Sequence, residues 1–314
     1  MTTWEEEEMS RTRPGPARAP GATLPFVLVA PAVLALCLAL GYPLVRQLVL
    51  SFQEFGLAQQ FGRPPEWVGL ANYRELLTDG YLWAVTARTV VFCLVNAAVT
   101  MLLGVGLALV MRVMSKPVRL LTQTGLLLAW AMPVVASLTV WQWLFDTQYG
   151  VVNYVLSALG GDFEGHGWLL QPLSFFFVAT VVVVWMSVPF VAFTVYAALT
   201  QVSEEMVEAA EIDGASAAQR LRHVVLPSIR PVLLVVGLLQ IIWDLRVFTQ
   251  IYILQEAGGS ARATNLLGTY IYRLGIGGGD FGTSAAVAVF MLGLTVVLTA
   301  PYVRAMLRQE RGVA

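Results

Sequence analysis

The chain has 314 residues, of which 57% are hydrophobic and 12% charged, with a net charge of −1 and a mean hydropathy of +0.71. A soluble domain carries about 25% charged residues, so this chain lacks the polar surface to cover itself in water, and its balanced charge offers no field for nucleic acid. Cys37 and Cys93 both lie in apolar runs, which argues against a disulfide framework or a cysteine-based metal cluster.

Residues 1–22 carry an acidic run, Glu5 to Glu8, then Arg11, Arg13 and Arg18 among prolines. Such a segment cannot build a core, and a disordered tail is expected. The next run, 24–45, has the basic lead of a signal peptide but is long for one, so a first membrane helix is the better reading. Further apolar runs at 84–111, 120–145, 173–199, 232–254 and 283–303 each approach the roughly 20 residues that cross hydrocarbon. The expectation is an all-α integral membrane protein of about six transmembrane helices over residues 23–309, with a short tail at 310–314. Arg88, near one end of the second span, is placed to snorkel to the interface. Asp244 and Arg246, inside the fifth, are costly at membrane depth unless they face protein or water.

Basic residues set the orientation. Arg11, Arg13 and Arg18 precede the first span, Arg112, Lys116 and Arg119 follow the second, Arg220, Arg222 and Arg230 follow the fourth, and Arg304, Arg308 and Arg311 close the chain. The alternate loops are poorer in positive charge, so the positive-inside rule predicts that both termini are cytoplasmic. The outer loops with Gly161 and with Gly277 to Gly279 read as flexible connections. The single long cytoplasmic loop, 201–231, is also the most charged segment between spans and offers a docking place for a soluble partner.

That loop predicts two short helices joined at glycine. Ser203 is placed to cap the first, with Glu204 and Glu205 in its first turn, and Gly214 supplies the left-handed residue that ends it. Ser216 is placed to cap the second, which should stop near Pro227 because proline has no amide donor. Taken as composition alone, the segment would also serve as a solvated linker. Its residue order says more: Glu208-Ala209-Ala210, then Asp213-Gly214-Ala215, then Leu226-Pro227 closely resembles the signature loop of binding-protein-dependent ABC importer permeases. Tyr42-Pro43, Ser51-Phe52, Gly69-Leu70-Ala71-Asn72-Tyr73, Trp141 to Phe145 before Gly150-Val151-Val152-Asn153, and Ala197-Ala198-Leu199 are similar to the carbohydrate-uptake branch, which includes maltose- and glycerol-phosphate-type permeases.

The resemblance implies a type I importer permease fold in the bacterial cytoplasmic membrane. It further implies that Glu208, Ala209, Ala210, Asp213, Gly214, Ala215, Leu221, Leu226 and Pro227 form a coupling helix that enters a groove of an ATPase subunit. Leu221 stands where the family usually has Phe, and residues 254–260 depart from the family's usual glycine-proline pattern after the fifth span. Expected partners are a second, different permease, two ATP-binding subunits and an extracytoplasmic solute-binding protein. ATP and magnesium would be used by the ATPase, with no cofactor or metal on this chain.

The residues themselves agree on the last point: the one lysine, Lys116, sits in Ser115-Lys116-Pro117 and cannot serve a P-loop, and His166 and His223 fall on opposite predicted sides of the membrane. No catalytic residue is expected. For the solute path the candidates are Asn96, Trp185, Gln240, Trp243, Asp244 and Gln250, with Trp130 and Gln142 as further polar or aromatic groups in spans. Each also has a structural reading, as an interface tryptophan or an interhelical hydrogen bond. An ion-coupled secondary transporter, a non-transporting membrane component and an importer of a sugar phosphate or polyol are the alternatives the residues leave open.

Overall fold

The computed structural model describes residues 24–313, so the expected tail at 1–22 lies outside the described residues. The chain divides into two units. The first is a helical run, α1 (Leu24–Leu36) and α2 (Tyr42–Leu50), joined through a π-helical turn at Cys37–Gly41. Its apolar composition and length suit a membrane crossing.

The second unit opens with a compact segment ahead of the bundle. Strands β1 (Gln53–Glu54) and β2 (Glu66–Trp67) pair antiparallel, with Gln53 opposite Trp67, around the short helix α3 (Leu57–Gln60). Helix α4 (Ala71–Thr78) follows Gly69, whose φ of +57° is the left-handed conformation that favours glycine. Asn72 and Tyr73, at the start of α4, tie this segment together. The Asn72 amide donates to the Ser51 and Gln53 carbonyls, both at 3.0 Å, and the Tyr73 hydroxyl donates to Ser51 Oγ at 2.7 Å. The Gly-Leu-Ala-Asn-Tyr run therefore has a local structural job.

The bundle consists of α5 (Gly80–Val113), α6 (Lys116–Ala131) with α7 (Val134–Leu144), α9 (Pro172–Leu199), α12 (Leu226–Leu245) and α16 (Phe281–Val313). The connection from α7 to α9 carries α8 (Val151–Ala158). Among the described residues, five helices are long and apolar enough to cross a membrane, or six if the bent pair α6 and α7 counts as one crossing. In lipid every backbone donor must find a partner within the chain, which is why the spanning elements are helices. Helices α5 and α9 form the most extensive pair. Their approach is set by Gly104: a Cβ there would lie 2.5 Å from Val191 Cγ1. Small residues at such crossings are what membrane helices use in place of a hydrophobic driving force.

Two expectations, one of a continuous span and one of a helix stop, need correction. The third span, expected as one helix over 120–145, is broken and bent by 101° between Ala131 and Val134. Pro133 supplies the cause, since proline has no amide to donate and disfavours helical geometry at Met132, whose ψ is 129°. The fifth span also differs. Its helical run begins with α11 (Ala217–Arg220), passes through a π-helical turn at Leu221–Val225 and continues as α12. The helix therefore does not stop at Pro227, which sits in the first turn of α12, where its missing donor is tolerated, while the wider π turn accommodates the join.

The connection from α12 to α16 is ordered as well. It comprises α13 (Thr249–Glu256), α14 (Ala261–Thr264), α15 (Leu267–Tyr272) and a π turn at Arg273–Gly277. The amides of Gly278 and Gly279 donate back to the Arg273 and Gly275 carbonyls, so the glycine cluster read as a flexible connection is a hydrogen-bonded helix end.

Candidate functional site

The elbow between α9 and α12 is built by its backbone. Helix α10 (Glu204–Ile212) ends in a Schellman motif, in which the Gly214 amide donates to the Glu211 carbonyl and the Ala215 amide to the Ala210 carbonyl, both at 2.9 Å. Gly214 has φ +82°, as that motif requires. The second helix is held by a capping box: Ser216 Oγ accepts from the Gln219 amide at 3.4 Å, and Gln219 Oε1 accepts from the Ser216 amide at 2.8 Å. Ser203, expected to cap α10, makes no side-chain cap bond. An ion pair between Glu211 and Arg220 closes the elbow from the side.

One face of this unit is fastened to the bundle and the other is presented outward. Val207, Leu221 and Leu226 pack on a cluster that includes Ala108, Val195, Leu199, Val225 and Ile229. Glu208, Ala209, Asp213, Gly214 and Pro227 are exposed, while Ala210 and Ala215 are half-buried. Between the two short helices runs a shallow groove of about 360 Å³, lined in part by Ala210, Asp213, Gly214, Ala215 and Arg220. Two apolar side chains beside it were not singled out from the sequence: Met206 is exposed, and Ile212 is 87% exposed at the tip of α10. An isoleucine bare to solvent at the end of a charged helix is the signal that marks it, but its exposure only follows once the helix face is known.

Several predicted path residues make side-chain contacts between helices, in two sets. Trp130 on α6, Phe190 on α9 and Trp243 on α12 form a ladder, with ring centroids 6.4 and 4.9 Å apart. Trp185 meets Trp141 edge to face at 5.6 Å. Gln250 Nε2 lies 3.8 Å from Met186 Sδ, next to Trp185 in the sequence. The break at Pro133 and Pro189 within α9 lie near Trp130 and Phe190 in the sequence. Irregular backbone at membrane depth occurs where it lines a cavity or is buried in protein. Gln142, flagged with these residues, donates to the Ile253 carbonyl at 3.1 Å and fastens α7 to α13.

Gln240, Asp244 and Asn96 are instead enclosed in the helix bundle. Asp244 is 1% exposed, and both its carboxyl oxygens lie within 3.0 Å of Gln240 Nε2. Arg246, two positions on and so on a different side of the helix, is exposed. Asn96 donates to the Phe92 carbonyl at 2.7 Å and to Thr180 Oγ1 at 3.5 Å, bridging toward α9. Arg88 is bound to protein rather than free to snorkel: its guanidinium donates to the Arg262 and Asn265 carbonyls.

The connection after α7 explains another run of residues. Asn153 donates to the carbonyls of Asp146, Thr147 and His166 and accepts from Trp168 Nε1 at 2.6 Å. A Cβ at Gly150 would lie 2.2 Å from the Asp146 carbonyl, so only glycine fits. The Asp146 carboxylate accepts from the Tyr149 and Gln148 amides, which holds it below the usual carboxylate range.

The profile of a family described as binding-protein-dependent transport system inner membrane component matches residues 100–305. The chain is 43% identical over 303 residues to the diacetylchitobiose uptake system permease protein of Streptomyces coelicolor, with 95% of this chain and 91% of that protein covered. It is 33% identical over 284 residues to the sulfoquinovosyl glycerol transport system permease protein of Agrobacterium fabrum, covering 90% and 89%. In fold it resembles a chain of a bacterial ABC transporter involved in the import of the acidic polysaccharide alginate, with a TM-score of 0.77 at 21% identity, covering 97% of this chain and 98% of that one.

Proposed function

This chain belongs to the family of binding-protein-dependent transport system inner membrane components, and we propose that it is the permease subunit through which a carbohydrate, delivered by an extracytoplasmic binding protein, crosses the cytoplasmic membrane. It is a transport subunit of the ABC type rather than an enzyme, and a multi-pass component of the bacterial membrane. The observation that carries the mechanism is the elbow, whose exposed rim of Glu208, Ala209, Asp213 and Gly214 stands beside Ile212 at the end of a charged helix.

In this reading an ATP-binding subunit seats the elbow through Ile212 and the small rim residues, while Glu208 and Asp213 meet polar groups on that partner. Nucleotide-driven closure of two such subunits moves the elbow. Because Val207, Leu221 and Leu226 are packed on α9 and α12, the movement passes to the bundle as a rigid shift, and the ligand-dependent balance between outward- and inward-open states changes. A second, different permease completes the pathway, with both termini of this chain on the cytoplasmic side.

A sugar presents hydroxyls and flat CH faces, and Trp185, Trp243 and Gln250 offer matching groups. Trp243 and Trp130 are partly exposed in the isolated chain, which leaves their faces available toward a shared pathway. Gln240, Asp244 and Asn96 act as buried polar fastenings. The carbohydrate class is supported by the names of the relatives, a diacetylchitobiose uptake system permease protein and a sulfoquinovosyl glycerol transport system permease protein.

The test is co-purification with the ATP-binding subunit, together with ATP-driven uptake of labelled diacetylchitobiose into vesicles. The native chain should retain the subunit and support uptake. Gly214→Pro combined with Glu208→Arg should stay in the membrane and lose both. Equal capture of the subunit by native and variant chains would remove the elbow from the docking role.

A further inference from the structure

At the end of the bundle opposite the elbow lies a group of arginines that those aromatic contacts do not involve. We propose that Arg262, with Arg273 and Arg88 around Tyr81, forms a socket for a carboxylate side chain of the extracytoplasmic solute-binding protein, an inference that rests on the importer reading above.

The socket is placed by α5. The end of α5 around Ala108 belongs to the cluster that seats the elbow, whereas Leu82 and Val85, at its start, belong to a separate cluster with Leu267 and Tyr270. Tyr81 sits in that first turn. Its hydroxyl donates to the Arg262 carbonyl at 3.0 Å and accepts from Asn265 Nδ2 at 3.0 Å. Arg88, two turns along α5, donates to the Arg262 and Asn265 carbonyls at 3.3 and 3.2 Å. The backbone that carries Arg262 is thus held by three side-chain contacts from α5 and leaves the Arg262 side chain exposed.

Charge decides what this arrangement recognises. The guanidinium carbons of Arg88 and Arg262 each lie 5.7 Å from the centroid of the same Tyr81 ring. Arg273 opens on the same cleft of about 440 Å³, which Asp79, Tyr81, Arg262 and Asn265 also line. Arg273 shares its Nη2 between Gln255 and Glu256, and its Nε is enclosed without an acceptor. Asp79 is already engaged: it accepts from the Tyr81 amide at 2.8 Å.

Among the described residues, Arg262 has no carboxylate partner. Cations gathered at one ring repel one another, and an anion placed between them removes that cost. The fork of a guanidinium matches a carboxylate in two parallel hydrogen bonds. The cleft is open at the rim and its walls are already fixed by hydrogen bonds. It therefore suits a side chain presented on the rigid surface of a docking protein, which needs little further ordering to seat. Charges at such a rim set the rate and salt dependence of encounter.

The experiment uses the full importer in lipid nanodiscs and follows ATP hydrolysis against the concentration of solute-loaded binding protein. Arg262→Ala should raise the half-saturating concentration about tenfold at low salt with the maximal rate unchanged, and Arg262→Lys should retain most of the native value. Salt should weaken the native response and hardly alter that of Arg262→Ala. If Arg262→Ala keeps the native half-saturation and salt response while the binding protein still stimulates, the socket does not exist as proposed. If sodium glucuronate without binding protein stimulates the native complex and not the variant, the site takes a free anionic solute and the docking proposal fails. A native complex that the binding protein does not stimulate at all would overturn the importer reading itself.

Discussion

Replacing Gly214 by alanine isolates the cost of one backbone conformation at the elbow. With φ at +82°, Gly214 lies in the left-handed region, and a Cβ built there meets no atom within 4 Å. Crowding therefore contributes nothing, and the cost is the intrinsic penalty of a left-handed L-residue, about 1 to 2 kcal/mol. That penalty bears on two bonds, from Gly214 to the Glu211 carbonyl and from Ala215 to the Ala210 carbonyl, which close α10. If opening of this turn is local, the amides at 214 and 215 should lose about tenfold in hydrogen-exchange protection in Gly214→Ala. Gly214→Asn should lose less, because asparagine tolerates the conformation, and Gly214→Val more, because a branched Cβ does not. The thermal midpoint of the bundle should not move, since Asp213 and Gly214 are exposed and outside its core. Native-like protection in the alanine variant, or equal losses in the asparagine and valine variants, would show that conformation at Gly214 does not hold the elbow.

Other expectations follow from the bundle and from the connection after α7. Gly104→Ala should destabilise the detergent-solubilised chain by about 1 to 3 kcal/mol, as overpacking does, because its Cβ would meet Val191 at 2.5 Å. Gly106→Ala, with nothing within 4 Å, is the matched control, and comparable thermal shifts in both would refute the close-crossing argument. Gln240→Leu removes the donor that serves both Asp244 oxygens and should cost about 1 to 3 kcal/mol in unfolding assays. The double change Gln240→Leu with Asp244→Leu should recover most of that loss, and a double variant worse than the single would contradict the pairing. The Asp146 carboxyl is held below its usual range by amide bonds from Tyr149 and Gln148. Its contribution is thus fully present above the ordinary carboxylate pKa and lost as pH falls through the lowered one. Exchange protection of the Gln148 and Tyr149 amides should decline in that acid window in the native chain and be low throughout in Asp146→Ala.

Length and hydropathy are properties of single segments, so the sequence by itself determined that this is a predominantly helical membrane chain and where most of its apolar runs lie, while the small β1–β2 pair went unread. The elbow was legible for the same reason, since a Schellman end at Gly214 and a capping box at Ser216 are local devices whose residue types sit a few positions apart. The limits of that reading are equally physical. Pro133 announced a break in principle, but an apolar run of the right length reads as one span until the 101° bend is seen. Pro227 signalled a stop, yet the π turn before it let the helix continue. Partners distant in the chain were beyond any periodicity: the ladder from Trp130 through Phe190 to Trp243 joins three helices, and Arg262 reaches the Tyr81 ring across more than 180 positions. Exposure was likewise decided by packing, which turned Ile212 outward and enclosed Asp244, because which face of a helix is covered depends on the neighbours that the tertiary fold supplies.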